Sequence, residues 1–391
     1  MAATSALEAV PVTLPRPARA RQTLIPQLDG LRGVAILLVL STHVFALHLA
    51  PTAGIDGVVR QVTHVGWTGV DLFFVLSGFL ITGGLIDTKG RPRYWTGYLA
   101  RRCLRIFPLY YGALAFVFLL LPRLVDWPDP GYAVLRANQA WYWAYAVNLL
   151  QAIHGTAATP LNTAHFWSLS IEEQFYLFWP LVVWAVPARR LPVLAAGMIG
   201  FGVLFRIFVC GTPGLGPIAA YVLTPGRLDG LMIGAGLAAA LRHGGLERLR
   251  APAIATGLVS ATVLAAMMAV RGTDYEDPVI AIAGFPLVAA FFGSLLTLAL
   301  TSRGTLRALL SSPRLRAWGK YSYGIYLLHY PLIGVLDDKL GVRFERMTLG
   351  GSHLPGVIAL SVVALPLSFG VAWLSYHLYE KRFLALKRYF R

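Results

Sequence analysis

Apolar runs of bilayer length recur along the whole chain, and that feature leaves little room for a soluble fold. A helix needs about 20 predominantly apolar residues to cross the hydrocarbon core. Runs of this kind fall at about 28–49, 66–86, 104–121, 167–187, 191–210, 219–241, 251–270, 278–301, 318–336 and 354–378, which reads as about ten spans. Only a helix can satisfy the backbone of such a run inside a bilayer without closing a barrel. The expected fold is all-α, a polytopic transmembrane helical bundle. Composition agrees: 57% of the 391 residues are hydrophobic and 13% charged, where soluble domains carry about 25% charge. One further stretch, 133–151 (AVLRANQAWYWAYAVNLLQ), holds Arg136, Asn138, Gln139 and Asn148 among its aromatics. It is expected to be interfacial or re-entrant, because Trp and Tyr favour the headgroup level. An eleventh ordinary span is the alternative.

The basic residues orient this bundle. With the N-terminus inside, most of the 34 Lys and Arg residues fall in cytoplasmic segments or at their edges, as the positive-inside rule requires. The bias holds only if 133–151 does not cross, and it places both termini in the cytoplasm. The net charge of +16 therefore reads as a topology signal, with the lipid bilayer as partner and no nucleic acid. The division that follows is a flexible cytoplasmic tail at 1–27, a transmembrane unit at 28–384 and a basic cytoplasmic tail at 385–391. Cys103 and Cys210 fall on opposite faces, so neither a disulfide nor a metal site is expected. No internal repeat of the transporter kind is visible.

Ionisable residues inside the spans are the functional candidates, since each costs about 2.5–3.5 kcal/mol to place there. They are Asp29, Arg32, His43, Asp71, Glu172, Glu173, Arg206, Arg227, Asp229 and His329. Asp29, at the inner mouth, has a helix cap as its alternative reading. Arg32 and His43 lie eleven residues apart, close to three turns, so they share a helix face about 16 Å apart along the axis. Both must line an internal cavity, with His43 in the outer half and suited to proton transfer. Asp71, Glu172 and Glu173 lie at depths from which one of them can reach and orient that imidazole. Glu172 and Glu173 point about 100° apart, so they serve different partners. On the inner side, Lys89, Arg91, Arg93, Arg101, Arg102 and Arg105 crowd one loop. Arg101 and Arg105, at i and i+4, share a face suited to gripping a polyphosphate; a plain positive-inside flank is the alternative.

Seven segments in order resemble the motifs of the acyltransferase-3 family: LDGLRGVAILLVLSTH, GVDLFFVLSGFLIT, RRCLRIFPLYY, HFWSLSIEEQFYLFWP, GRLDGLMIGAGLA, YSYGIYLLHYPL and YEKRF. The resemblance runs from about residue 27 to 384. It implies a bacterial membrane O-acyltransferase acting on cell-surface carbohydrate, located in the cytoplasmic (inner) membrane. It implies that Arg32 and His43 form the family's arginine/lysine–ten-residue–histidine signature, with His43 as the catalytic centre. It also implies an acyl-CoA cosubstrate, most simply acetyl-CoA, entering from the cytoplasm, and a carbohydrate or glycolipid acceptor at the outer face. Many relatives add a C-terminal SGNH-type esterase domain. The present chain is read as a membrane unit without one, so transfer is expected to be completed within the bundle or by a partner protein.

Joined to the charge map, the resemblance gives a mechanism to test. Arg32, Arg101, Arg102 and Arg105 hold the donor phosphates, and His43 acts as general base on the acceptor hydroxyl, positioned by Asp71 or by Glu172 or Glu173. Ser322, Tyr326 and His329 of the ninth span, with Arg227, line the cavity or grip the donor. A covalent acyl-histidine is the competing route. Peptidoglycan or a glycosylated small molecule is an alternative acceptor, and a non-enzymatic proton-coupled transporter or flippase is the alternative class.

Overall fold

The computed structural model describes residues 25–50, 54–124, 130–243, 245 and 247–390. The tail expected at 1–27 lies outside these up to residue 24, as does Arg391. Among the described residues the chain is helical without β-strands, the one bridge being Leu349 with Ser352. The longest helices are α1 (Pro26–Ser41), α2 (Gly69–Thr88), α3 (Tyr94–Ala115), α4 (Phe166–Ala185), α5 (Leu191–Gly211) and α6 (Leu228–His243). They continue with α7 (Arg250–Arg271), α8 (Phe285–Thr301), α9 (Pro313–Glu345) and α10 (Leu354–Ser375).

Among the described residues, seven helical stretches are long and apolar enough to cross a membrane: Pro26–Ala46, Ile55–Thr88, Tyr94–Leu124, Ala188–Gly211, Glu247–Arg271, Ile280–Thr301 and Leu354–Phe390. The expected spans at 167–187, 219–241 and 318–336 do not meet that standard, for reasons visible in their residues. The helix α4 carries Glu172, Glu173 and Gln174 in consecutive positions. The 219–241 stretch is interrupted by a 3-10 turn over Thr224–Arg227, where Pro225 and Gly226 stand, so α6 keeps only 16 residues. The helix α9 is long, at 33 residues, but has Arg314, Arg316 and Lys320 at one end and Asp337, Asp338 and Lys339 toward the other.

Segment 133–151 is neither one span nor one interfacial helix. It forms three short pieces, Pro130–Ala137, Gln139–Trp143 and Val147–His154. Eight helical residues rise about 12 Å, far less than the roughly 30 Å hydrocarbon core. Its polar residues are held by protein: buried Asn148 exchanges hydrogen bonds with Gln174 of α4 at 3.0 and 3.3 Å.

Two crossings organise the interior, and both use glycine. The helix α1 lies against α9 where a Cβ on Gly319 would overlap the Asp29 carbonyl oxygen, and one on Gly33 would overlap that of Leu315. The helix α2 lies against α6 where Gly78 faces the Leu231 carbonyl and Gly234 that of Val75. Small residues let backbones meet where lipid supplies no hydrophobic drive for helix association. By contrast α5 and α7 are peripheral, and turn Val193, Phe201, Leu204, Phe208, Leu258 and Val270 outward.

Prolines inside the helices leave carbonyls that other helices satisfy. Pro180 has no N–H for the Tyr176 carbonyl four residues back, and the Tyr98 hydroxyl of α3 donates to it at 3.2 Å. Pro331 likewise frees the Leu327 carbonyl, and His165 Nε2, just before α4, reaches it at 3.3 Å. These bonds pin α3 to α4 and α4 to α9.

Candidate functional site

His43 stands in a π turn, Thr42–Ala46, that continues α1. Such turns are frequent at functional positions because the wider coil re-aims a side chain. The ring is half-buried. Its Nδ1 lies 2.9 Å from the Val39 carbonyl oxygen and 3.4 Å from Nε2 of His329. A carbonyl can only accept, so Nδ1 of His43 carries the hydrogen and its Nε2 keeps the lone pair. Among the described residues no partner occupies that Nε2.

His329 is wholly buried. Its Nδ1 lies 3.0 Å from the Ile325 carbonyl and 2.8 Å from that of Tyr326, which fixes the same tautomer and leaves its Nε2 to accept. His165 makes a third member, with its ring centroid 5.3 Å from that of His329. Because its Nε2 donates to the carbonyl freed by Pro331, its Nδ1 is bare, and that atom is buried without a hydrogen-bond partner. Tyr326 closes the group, its hydroxyl 2.5 Å from Ser168 Oγ and 3.2 Å from the His165 carbonyl. Tyr330 packs 4.3 Å from His43, centroid to centroid. Tyr326 and His329, read from the sequence as lining the cavity or gripping the donor, lie at the histidine end.

The carboxylates sit elsewhere. Asp71 pairs with Arg227 (Oδ1 to Nη2, 2.8 Å), both fully buried. The Arg227 guanidinium is enclosed by Phe285, Tyr221, Trp167 and Phe74, its Cζ 4.2, 4.8, 5.6 and 5.8 Å from the ring centroids. Beside it Arg206 makes a two-pronged pair with Asp229, at 2.5 and 3.1 Å. Neither Asp71 nor either Glu is a hydrogen-bond partner of His43; the side chain that meets its Nδ1 is His329. Arg227 is buried within this aromatic cage. Ser322, also buried, is on α9 one turn before Tyr326.

Glu172 accepts from Ser77 at 2.5 Å, with Tyr176 3.1 Å from the same hydroxyl. It lies within electrostatic range of Arg102 and Arg105. Glu173 turns toward the tyrosines of α3, and its Oε1 is buried without a partner. The two carboxylates thus serve different neighbours, as their angular separation requires.

The cations assemble at the other end of α1. Arg32 pairs with Asp29 at 2.8 Å, a use of Asp29 distinct from capping. Arg32, Arg102 and Arg105 lie within electrostatic range of one another. Arg102 also stacks over Tyr176 at 5.2 Å. Arg101 is drawn aside, donating to the Phe390 carbonyl at 2.6 Å. Arg105 therefore groups with Arg102 and Arg32 rather than with Arg101. Arg105 and Lys320 line a cleft with Tyr321, Tyr323, Tyr376 and Glu380. Guanidiniums grouped in this way, with few carboxylates between them, can hold an anion.

Sequence reading missed the roles of His165 and Tyr330. The signal for His165 was present, because Pro331 in a helix must strip one carbonyl of its donor. Which side chain would replace that donor depended on which helix lay alongside.

A family profile described as "Acyltransferase domain" matches residues 25–377. The chain belongs to the acyltransferase-3 family. Among its curated relatives, the "Putative peptidoglycan O-acetyltransferase YrhL" of Bacillus subtilis is 28% identical over 91% of this chain and 54% of its own. "O-acetyltransferase OatA" of Staphylococcus aureus is 29% identical over 79% and 50%. "Peptidoglycan O-acetyltransferase OatA" of Listeria monocytogenes is 28% identical over 84% and 52%. The chain therefore spans about half the length of the curated relatives it matches. No solved structure matches it. Family membership and the seven apolar helices together make this a multi-pass membrane protein.

Proposed function

We propose that this acyltransferase-3 protein is a membrane O-acetyltransferase. It moves an acetyl group from acyl-CoA on the cytoplasmic side to a hydroxyl of a cell-surface glycan. The observation that carries the reading is the polarity of α1 and the π turn that continues it: a guanidinium cluster at Arg32, and about 16 Å further along by helical rise an imidazole whose Nε2 has no hydrogen-bond partner among the described residues. Phosphates dock on Arg32, Arg102 and Arg105. The pantetheine arm follows α1, and the thioester carbonyl comes to His43. There Nε2 takes the hydroxyl proton as the oxygen attacks the carbonyl carbon. The carbon–sulfur bond breaks, and the departing thiolate recovers the proton from the imidazolium. No net proton is released.

The names of the relatives favour peptidoglycan among glycan acceptors. Ten crossings of the bacterial cytoplasmic membrane with both termini inside complete the reading, supported by the positive-inside bias and by the helices α4 and α9, with the shorter α6, at the three less apolar positions.

The test is acetyl transfer from labelled acetyl-CoA to base-deacetylated peptidoglycan strands in proteoliposomes. His43→Ala should abolish transfer while the protein remains folded in the membrane. Retained transfer would remove His43 from the chemistry. Rapid mixing without acceptor separates the routes: an acid-trapped acetyl adduct on His43 would replace direct transfer with an acyl-enzyme.

A further inference from the structure

We infer that His329 is the positioning residue for His43, doing with a neutral imidazole what a carboxylate does in a hydrolase triad. The inference rests on the proposed role of His43 as base and adds the group that orients it.

The geometry leaves each nitrogen one assignment. His43 Nδ1–H points to the Val39 carbonyl at 2.9 Å and to His329 Nε2 at 3.4 Å. The rings meet edge to face, with centroids 5.0 Å apart at 72°. The backbone carbonyls of Ile325 and Tyr326 hold the hydrogen of His329 on Nδ1, so Nε2 faces His43 as an acceptor. This fixes the His43 ring and presents its Nε2 lone pair to a substrate. When His43 takes a proton at Nε2, its Nδ1–H becomes the donor of a charge-assisted bond to His329, which strengthens as the charge develops. A neutral acceptor does this without the standing negative charge that a carboxylate would place within the bilayer.

The roles do not exchange. His329 has no exposed surface and both nitrogens are engaged, whereas His43 is partly exposed with one nitrogen free. The position of His329 is itself held: Pro331 lies two residues on, and the Leu327 carbonyl it frees is tied to His165 across to α4. The titratable groups facing His329 are His43 from the π turn after α1, His165 from before α4, and Tyr326 and Tyr330 from its own helix. Among the described residues none of these is a carboxylate. His43 itself faces His329 and Tyr330 of α9 and, further along its own segment, His48, which is paired with Asp337 of α9.

The test compares His329→Gln, whose amide oxygen can accept near the place of Nε2, with His329→Leu, which cannot. Both are made in the full chain and assayed in proteoliposomes with acetyl-CoA and base-deacetylated peptidoglycan strands. His329→Leu should lower kcat by about 10²–10³-fold, with KM for acetyl-CoA within about twofold of the parent. His329→Gln should recover kcat to within about tenfold of the parent. The inflection at which activity rises with pH should move to lower pH in His329→Leu, because the imidazolium of His43 loses an acceptor, and stay in place in His329→Gln. The inference is overturned if His329→Leu keeps the parental kcat. It is also overturned if both variants fall equally with unchanged inflections, as a packing role alone would give. Retained transfer in His43→Ala would overturn the underlying reading, an outcome separate from either.

Discussion

At the scale of single residues, the interior separates charge held for structure from charge left open for chemistry. Arg227 and Asp71 neutralise each other inside an aromatic cage. Removing one partner of a buried pair strands the other charge and costs about 3–5 kcal/mol. Asp71→Leu should therefore lower the melting temperature of the purified protein in detergent sharply, and adding Arg227→Leu should recover part of the loss. Arg32, Arg102 and Arg105 are unlike this pair, because their mutual repulsion is answered only in part by Asp29 and Glu172. Arg102→Ala and Arg105→Ala should raise KM for acetyl-CoA with little change in melting temperature. An unchanged KM in both would remove the cluster from donor binding.

At the scale of elements, close backbone contact and rescued carbonyls set where the helices cross. A methyl at Gly319 meets the Asp29 backbone of α1, and overpacking of that kind costs about 1–3 kcal/mol. Gly319→Ala should destabilise the protein and, by pushing α9 from α1, separate His329 from His43 and reduce transfer. Gly84 of α2 has nothing near its would-be Cβ, so Gly84→Ala should leave stability equal or raised by about 0.5–1 kcal/mol. Tyr98→Phe withdraws the donor that serves the Tyr176 carbonyl, a loss of about 1–3 kcal/mol. Thermal unfolding followed by size-exclusion fluorescence ranks all three; equal curves for Gly319→Ala and Gly84→Ala would contradict the crossing described.

At the scale of the whole molecule, the proposed function requires the donor and acceptor ends to open to opposite sides of the membrane. Asp274, between α7 and α8, and Thr305, between α8 and α9, are both exposed. In a background with Cys103 and Cys210 replaced by Ser, a cysteine at 274 should react with a membrane-impermeant maleimide applied to intact spheroplasts. One at 305 should react only after lysis. The reverse pattern would invert the bundle and place the guanidinium cluster outside, away from cytoplasmic acyl-CoA.

The sequence alone determined the properties that follow from counting along the chain. Apolar run length gave a helical membrane protein, basic asymmetry gave an orientation to test, and the eleven-residue interval put Arg32 and His43 about three turns apart along one helical run. Seven ordered motifs led to the family. It did not determine which side chains meet, because that depends on helix rotation and crossing depth, which glycine contacts and proline-freed carbonyls set only once the helices pack. Asp71, Glu172 and Glu173 lie at depths compatible with His43, yet α2 turns Asp71 toward Arg227 and α4 turns Glu172 toward Ser77. His329 and His165 are brought to His43 by contacts between residues 286 and 162 positions apart. One-dimensional periodicity fixes direction within a helix but not the angle between two helices, and the histidine cluster is a product of that angle.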